Sequence, residues 1–372
     1  MRIAIDARAI NEFGTGISAY TYNLIKNLIE VDKKNEYLIF VCNDIALEAI
    51  PENFSIRRVS VSIENHPIGD IWENLYLPIK LIRENIDIFH APAFLIPYIK
   101  LGFKNIVTIH DLIAFKYPSM FPSKFGYYIR LLMKIAVKRG DMIISPSINT
   151  KKDIMEIFDI PAERIAVIYD GVDNRFLPIR DIDLINNFKN RYNLPEKFIL
   201  YVGTIEPRKN LVSLIKAFDI LKKKIDHKLV IAGKLGWLYK NIFKIIDDLR
   251  LNNDIIFTGY VSKDEFPLLY NSGDIFVYPS LYEGFGLPVV EAMASGIPVV
   301  ASNRSSIPEI TGNGALLFDP EDIDDIASSI LKVIENVGLK EELKERGLKR
   351  AELFNWKEST KETISLYERL LI

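Results

Sequence analysis

The stretch Tyr282-Glu283-Gly284-Phe285-Gly286-Leu287-Pro288-Val289-Val290-Glu291-Ala292-Met293-Ala294 decides the reading of this chain. It follows an apolar run at 275–278 with the composition of a buried strand, then passes into a helical pattern. Pro288 suits the first helical position, where its missing N–H is no loss. The glycines let backbone amides approach a ligand closely, and the unpaired N–H groups of a helix start favour an oxyanion or sugar hydroxyls. Glu283 is then expected just outside the helix and Glu291 in its first turn, both facing one mouth. A single carboxylate there is explained as a cap or dipole partner worth under about 1 kcal/mol. Two glutamates bracketing the glycine turn read better as paired hydroxyl acceptors.

Outward from this segment, short runs rich in Ile, Val, Phe and Tyr alternate with longer helical patterns, the signature of βα units and mostly parallel sheets. Strands are predicted at 3–7, 37–41, 56–61, 86–90, 106–110, 142–145 and 166–169. A second set is predicted at 198–203, 229–232, 255–258, 275–278, 299–301 and 316–318. The chain has 372 residues, more than one core usually organises, so two doubly wound α/β domains are expected. The expected boundaries are 1–178 and 179–355, with a linker near 177–180. A last helix over 356–371, within a segment 356–372, is expected to cross back to the first domain.

Bulk composition narrows the function. Forty-seven basic against 49 acidic residues leave a net charge of −2, so a nucleic-acid partner is not expected. One cysteine, Cys42, cannot form an internal disulfide or a Cys-rich metal site, which points to the cytoplasm. No apolar signal core precedes the first strand and no run reaches a spanning length, so neither a leader nor a membrane span is expected.

Two further segments carry candidate chemistry. Tyr201-Val202-Gly203-Thr204-Ile205-Glu206-Pro207-Arg208-Lys209-Asn210-Leu211 closes the first strand of the second set. Cations are poorly placed at a helix start unless an anion binds there, so Arg208 and Lys209 read as anion ligands rather than the start of a solvated helix. Near the N-terminus, Gly14-Thr15-Gly16 precedes an amphipathic pattern at 17–29 and suits a phosphate cradle. Gly14-x-Gly16-x-x-Ala19 also matches a dinucleotide fingerprint, but residues 9–13 separate it from its strand and no acidic residue is placed for a ribose.

With Glu283 and Glu291 eight apart after a strand, the sequence resembles the retaining GT-B glycosyltransferases of group 1, family 4, which carry a Glu-x7-Glu motif. Segments Val107-Thr108-Ile109-His110-Asp111-Leu112, Ser145-Pro146-Ser147, Tyr169-Asp170-Gly171-Val172-Asp173 and Phe257-Thr258-Gly259-Tyr260-Val261 match as well, so the likeness spans nearly the whole chain. The family more often has Asn at the place of Asp170, and an arginine where Thr204 follows Gly203. The resemblance implies two Rossmann-like domains facing across a cleft. It implies that Glu283 and His110 meet the donor sugar and that Lys209, helped by Arg208, meets the diphosphate. Glu291 would hold the ribose; Gly203 and the backbone of Phe285, Gly286 and Leu287 would support the donor. The loop of Tyr260 and Val261 would meet the base, and Gly14 and Gly16 would approach the phosphates from the first domain.

The activity so implied is metal-independent, configuration-retaining transfer from a nucleoside-diphosphate sugar, with no cofactor beyond that substrate. The wording of the two motifs looks most like bacterial mannosyltransferases that use GDP-mannose for cell-surface polysaccharides. UDP-glucose or another sugar nucleotide is the alternative donor, and a non-catalytic sugar-nucleotide-binding protein or a nicotinamide oxidoreductase is the rival class. The acceptor is expected to be a glycan or a lipid-linked sugar. Residues 124–139, with Arg130, Lys134 and Lys138 every four residues, form either a helix resting on the inner face of an anionic membrane or an ordinary solvated one. His90 is a secondary acceptor-side candidate; His66 and His227 read as surface residues.

Overall fold

The computed structural model describes residues 1–11, 16–45, 47, 49–61, 68–99, 102–121, 123–259 and 261–371. The chain forms two compact units, Met1–Gly171 together with Asn355–Ile372, and Val172–Phe354. Residues 177–180, the expected linker, lie inside the second unit. There the Ile179 N–H donates to Asn271 Oδ1 at 2.7 Å, and Asn271 Nδ2 donates to the Leu177 carbonyl at 3.0 Å.

All thirteen predicted strands are present. The first unit holds β1 (Arg2–Asp6), β2 (Glu36–Val41), β3 (Phe54–Arg58), β4 (Ile88–Ala91), β5 (Lys104–Thr108), β6 (Met142–Ser145) and β7 (Ile165–Val167). They form one parallel sheet in the order β3-β2-β1-β4-β5-β6-β7. Because side chains alternate along a strand, Ala4, Phe89, Val107 and Ile143 fall into one core cluster, and Ile3, Ile5, Ile88, Ile106 and Ile144 into another on the opposite face. A sheet covered on both faces requires such near-continuous apolar strands.

The second unit holds β8 (Phe198–Val202), β9 (Lys228–Ala232), β10 (Ile255–Gly259), β11 (Ile275–Tyr278), β12 (Val299–Ser302) and β13 (Ala315–Phe318), in the parallel order β10-β9-β8-β11-β12-β13. Every side chain of β8 is buried. In each sheet the strand order reverses beside the first strand: between β1 and β4, and between β8 and β11. Ligands of open α/β sheets bind beyond the carboxyl ends of the strands at such switch points.

The closing helix Trp356–Leu371 belongs to the first unit, as expected. It packs against the helix Ile17–Val31, with the Trp356 ring edge-on to Tyr20 at 5.7 Å. Gly171 makes room for it, since a Cβ there would lie 2.3 Å from the Trp356 nitrogen. Tyr367 reaches the sheet and places its hydroxyl 2.7 Å from His90 Nδ1, while His90 Nε2 lies 2.9 Å from Thr108 Oγ1. His90 is completely buried. Its acceptor-side reading is therefore replaced by a structural one: the ring joins β4, β5 and the closing helix. Burial, then the neighbouring His110, pushes its pKa down to about 3, so the ring is neutral.

Candidate active site

The site of the second unit grows from the ends of β8 and β11. Gly203, at φ 155°, lets the chain leave β8 beside the loop that follows β9. The two loops are laced by backbone hydrogen bonds from Gly203 to Ala232, Ile205 to Lys234 and Gly236 to Ile205, each 2.9 Å. A Cβ on Gly233 would lie 2.1 Å from the Gly203 carbonyl oxygen, so only glycine allows this approach. A 3-10 turn, Pro207–Lys209, and Asn210 in the left-handed region then turn the chain into the helix Leu211–Leu221. That reversal folds Lys209 back over the sheet, where it is 5% exposed. The solvated-helix alternative falls for Lys209 with this observation; the Arg208 side chain is 19% exposed.

Opposite Lys209, Tyr278 ends β11, and Ser280 and Glu283 follow in the loop. Lys209 Nζ donates to Glu283 Oε1 and to the Tyr278 hydroxyl, both at 2.6 Å, and Tyr278 donates to the same carboxylate oxygen at 3.0 Å. Ser280 donates to it as well. Arg208 Nη1 donates to Glu283 Oε2 at 2.6 Å, and Arg208 Nε lies 2.5 Å from Glu206 Oε1. Two cations and two carboxylates thus form a charge-balanced cluster at the switch point, as burial demands. Burial alone would raise the Glu283 pKa, but Arg208 and Lys209 outweigh it and bring it down to about 2. Burial, then the Arg208 charge, lowers that of Lys209 against the opposing pull of Glu283.

The glycine turn is held from the next strand. Ser305 and Ser306, beyond β12, donate to the Glu283 carbonyl, and Ser306 also reaches the Phe285 carbonyl at 2.9 Å. Phe285 is buried edge-on to Phe354 at 5.4 Å, which leaves only its backbone for a ligand. Gly286, at φ 109°, caps the helix Leu287–Ala294. This corrects two expectations. Pro288 is the second helical residue rather than the first, and Glu291 is the fifth, beyond the first turn. Glu291 accepts from the Tyr270 hydroxyl at 2.8 Å, with Arg175 and Asp173 close enough to act on its charge. Burial raises its pKa to about 7. The two motif glutamates are therefore gripped by different partners and have their pKa values moved in opposite directions.

Of the other expected residues, Val261 is buried and Leu287 half-buried, while Gly14, Tyr260 and His66 lie outside the described residues. Gly16 is the residue ahead of the helix Ile17–Val31, at φ 55°. His110 sits two residues past the end of β5 rather than in it. Its Nε2 donates to the Pro92 carbonyl at 2.8 Å, which puts the proton on that nitrogen, and its ring meets Tyr20 at 4.7 Å. Burial lowers its pKa, so the ring is neutral. The His227 side chain is only 11% exposed, so it is not the surface residue expected. Asp170 is buried, and burial raises its pKa to about 8. Its neutral acid stands where an amide was the more usual residue.

The basic pattern at 124–139 forms the helix Ser123–Arg139. Arg130 is drawn inward to the Ala114 carbonyl at 3.1 Å, whereas Phe125, Tyr127 and Leu131 are exposed. Tyr270 and Tyr278 did not stand out in the sequence, because a tyrosine inside an apolar run reads as core; Glu206, though quoted within its motif, and Ser280 were given no role. Among the described residues no group of three or more His, Cys, Asp or Glu is placed to hold a metal ion, and no helix is long and apolar enough to cross a membrane.

Comparison with known proteins places both units. Residues 184–350 match the family described as "Glycosyl transferases group 1", and residues 14–176 match "Glycosyltransferase Family 4". The chain is 30% identical to O-antigen chain mannosyltransferase B of Escherichia coli over the whole of both chains. Among solved structures it resembles sucrose-phosphate synthase of Thermosynechococcus elongatus, with a TM-score of 0.81 at 21% identity, covering 100% of this chain and 99% of that one. It also resembles Anabaena Alr3699/HepE, solved in complex with UDP and glucose, with a TM-score of 0.76 at 19% identity, covering 98% and 99%.

Proposed function

The chain belongs to the group 1, family 4 glycosyltransferases of the GT-B fold, and from that premise we propose how it works and on what. It is a glycosyltransferase that uses a nucleoside-diphosphate sugar and acts on a glycan or lipid acceptor. The finer reading is transfer with retention of the anomeric configuration. The bond from the anomeric carbon to the diphosphate breaks, and a bond to the acceptor oxygen forms on the same face. The acceptor's proton passes to the departing diphosphate.

The observation that carries this reading is the Lys209–Glu283 pair, 2.6 Å apart at the switch point between β8 and β11. Lys209 and Arg208 would stabilise the negative charge that develops on the diphosphate, a preorganised electrostatic contribution that strengthens as the bond breaks. Glu283, kept ionised by the same cations, would accept from sugar hydroxyls. Glu291 would accept from the ribose, the backbone at 285–287 would support the sugar, and the neutral His110 would contact it.

For the donor, the curated relative aligned over the full chain is a mannosyltransferase, which supports a mannosyl nucleotide. The likeness to a structure holding UDP and glucose makes UDP-glucose the parallel candidate. Calorimetric titration with GDP, UDP, ADP and their sugars selects between them. Nucleotide release on adding an acceptor separates a transferase from a binding protein, and NMR of the product tests retention. An inverted product or absence of turnover with every donor defeats the reading.

For the acceptor, a lipid-linked glycan at an anionic membrane surface is supported by the helix Ser123–Arg139, which carries five basic residues and no acidic one. Across a crevice lined by Glu73, Asn74, Leu132 and Ile135, the segment Ile68–Arg83 exposes Leu75, Tyr76 and Ile79. Apolar side chains flanked by cations suit the headgroup boundary of an anionic leaflet.

A further inference from the structure

Tyr278 is 0% exposed, yet its hydroxyl stands in the middle of the charge cluster. It accepts from Lys209 Nζ and donates to Glu283 Oε1. A buried hydroxyl used in both directions orients its neighbours. Two of the three ammonium hydrogens of Lys209 are committed, one to Tyr278 and one to Glu283; the third has no partner among the described residues. The Tyr278 ring is fixed in a stack, 5.8 Å from Phe276 and 6.2 Å from Tyr201, both nearly parallel to it. The oxygen that meets Lys209 is therefore set by the core, not by a mobile side chain.

We propose that Tyr278 is a positioning residue for the leaving group: its hydroxyl holds the Lys209 ammonium so that the uncommitted N–H is presented to the outer phosphate of the donor's diphosphate. This rests on the assignment of Lys209 to that diphosphate. Tyr278 itself, enclosed in the core, does not touch the substrate. Ser280 shares the Glu283 oxygen but has no contact with Lys209 among the hydrogen bonds of the cluster, so the lysine's direction depends on Tyr278. Without the hydroxyl the buried ammonium also loses an acceptor, which favours its neutral form.

The test compares the affinity of GDP with that of GMP, and of UDP with UMP, by calorimetry in the wild type, Tyr278→Phe, Tyr201→Phe and Lys209→Ala. The Tyr201 hydroxyl lies 3.4 Å from the Thr204 carbonyl and not on the lysine, so Tyr201→Phe controls for removal of a hydroxyl from the same stack. Tyr278→Phe is expected to weaken the diphosphate about tenfold while the monophosphate changes less than about twofold, the loss of one charge-assisted contact. Its kcat falls more than its donor KM rises, and the alkaline limb of its pH profile moves to lower pH, because the ammonium loses its proton more readily. Tyr201→Phe keeps the wild-type ratio. An unchanged ratio in Tyr278→Phe, or equal loss of diphosphate and monophosphate, overturns the inference. If Lys209→Ala also leaves the ratio unchanged, the assignment of Lys209 itself fails; if only that variant lowers it, the assignment stands and the role of Tyr278 does not.

Discussion

Lys209 Nζ and Glu283 Oε1 are 2.6 Å apart, and their side chains are 7% and 8% exposed. The sequence separates them by 74 residues, and the adjacency of β8 and β11 brings them together. Removing one member of a buried pair strands the other, whereas removing both with similar shapes costs less. Lys209→Met is expected to destabilise the protein by about 3 kcal/mol, the low end for a broken buried pair, since Arg208 still faces Glu283. Adding Glu283→Gln restores most of that stability but not activity, with kcat lower by about a hundredfold or more. Urea denaturation and a nucleotide-release assay measure the two effects. The stabilisation from ionised Glu283 is complete above its ordinary pKa of 4.5 and is lost as pH falls toward about 2.

Glu291 behaves in the opposite sense. Its folded pKa is raised by burial to about 7 from 4.5, so the folded state holds a proton the unfolded chain releases. Stability therefore declines as pH rises from 4.5 to about 7 and is level above. If the ionised carboxylate grips the ribose, the KM for the sugar nucleotide falls as pH rises through about 7. In Glu291→Gln that dependence flattens. Tyr270→Phe removes the hydrogen bond that holds the pKa down and moves the dependence to higher pH. A donor KM independent of pH between 6 and 8 in the wild type contradicts the role; these bounds are about one unit either side of the titration.

The closing helix is held by a neutral imidazole. Tyr367→Phe leaves His90 Nδ1 buried without its partner, at a cost of about 1–3 kcal/mol, read from the urea midpoint. Because His90 is depressed from 6.5 to about 3, the unfolded chain binds a proton the folded one refuses. Its contribution is full above pH 6.5 and lost as pH falls toward 3. Wild-type stability in Tyr367→Phe at pH 7.5 means that the hydrogen bond contributes nothing.

Membrane binding is tested by sedimentation with vesicles of phosphatidylcholine containing about 30% phosphatidylglycerol, a charge density that attracts basic segments. The wild type is expected to pellet with these vesicles and not with pure phosphatidylcholine. Tyr127→Asp combined with Leu75→Glu should abolish pelleting and leave turnover of a water-soluble acceptor unchanged. Equal pelleting of wild type and double variant removes that surface from the account.

Much was legible in the residues because it rests on local chemistry. The thirteen strands follow from short β-branched and aromatic runs, the closing helix from its periodicity at 356–371, and the glycine turn with its two glutamates from the run of residue types at 282–294. The chain order of these pieces also implied parallel sheets. What the sequence by itself could not contain is pairing across the sheet. Tyr278 and Tyr270 look like core until the order β8-β11 and the packing beside it place their hydroxyls on Lys209, Glu283 and Glu291. His90 looks like a ligand until Tyr367, 277 residues away, occupies its Nδ1. Charge states follow the same division: an Asp or Glu is named by sequence, but burial and the cations that fold beside it decide that Glu283 is ionised while Glu291 and Asp170 hold their protons to near-neutral pH and above.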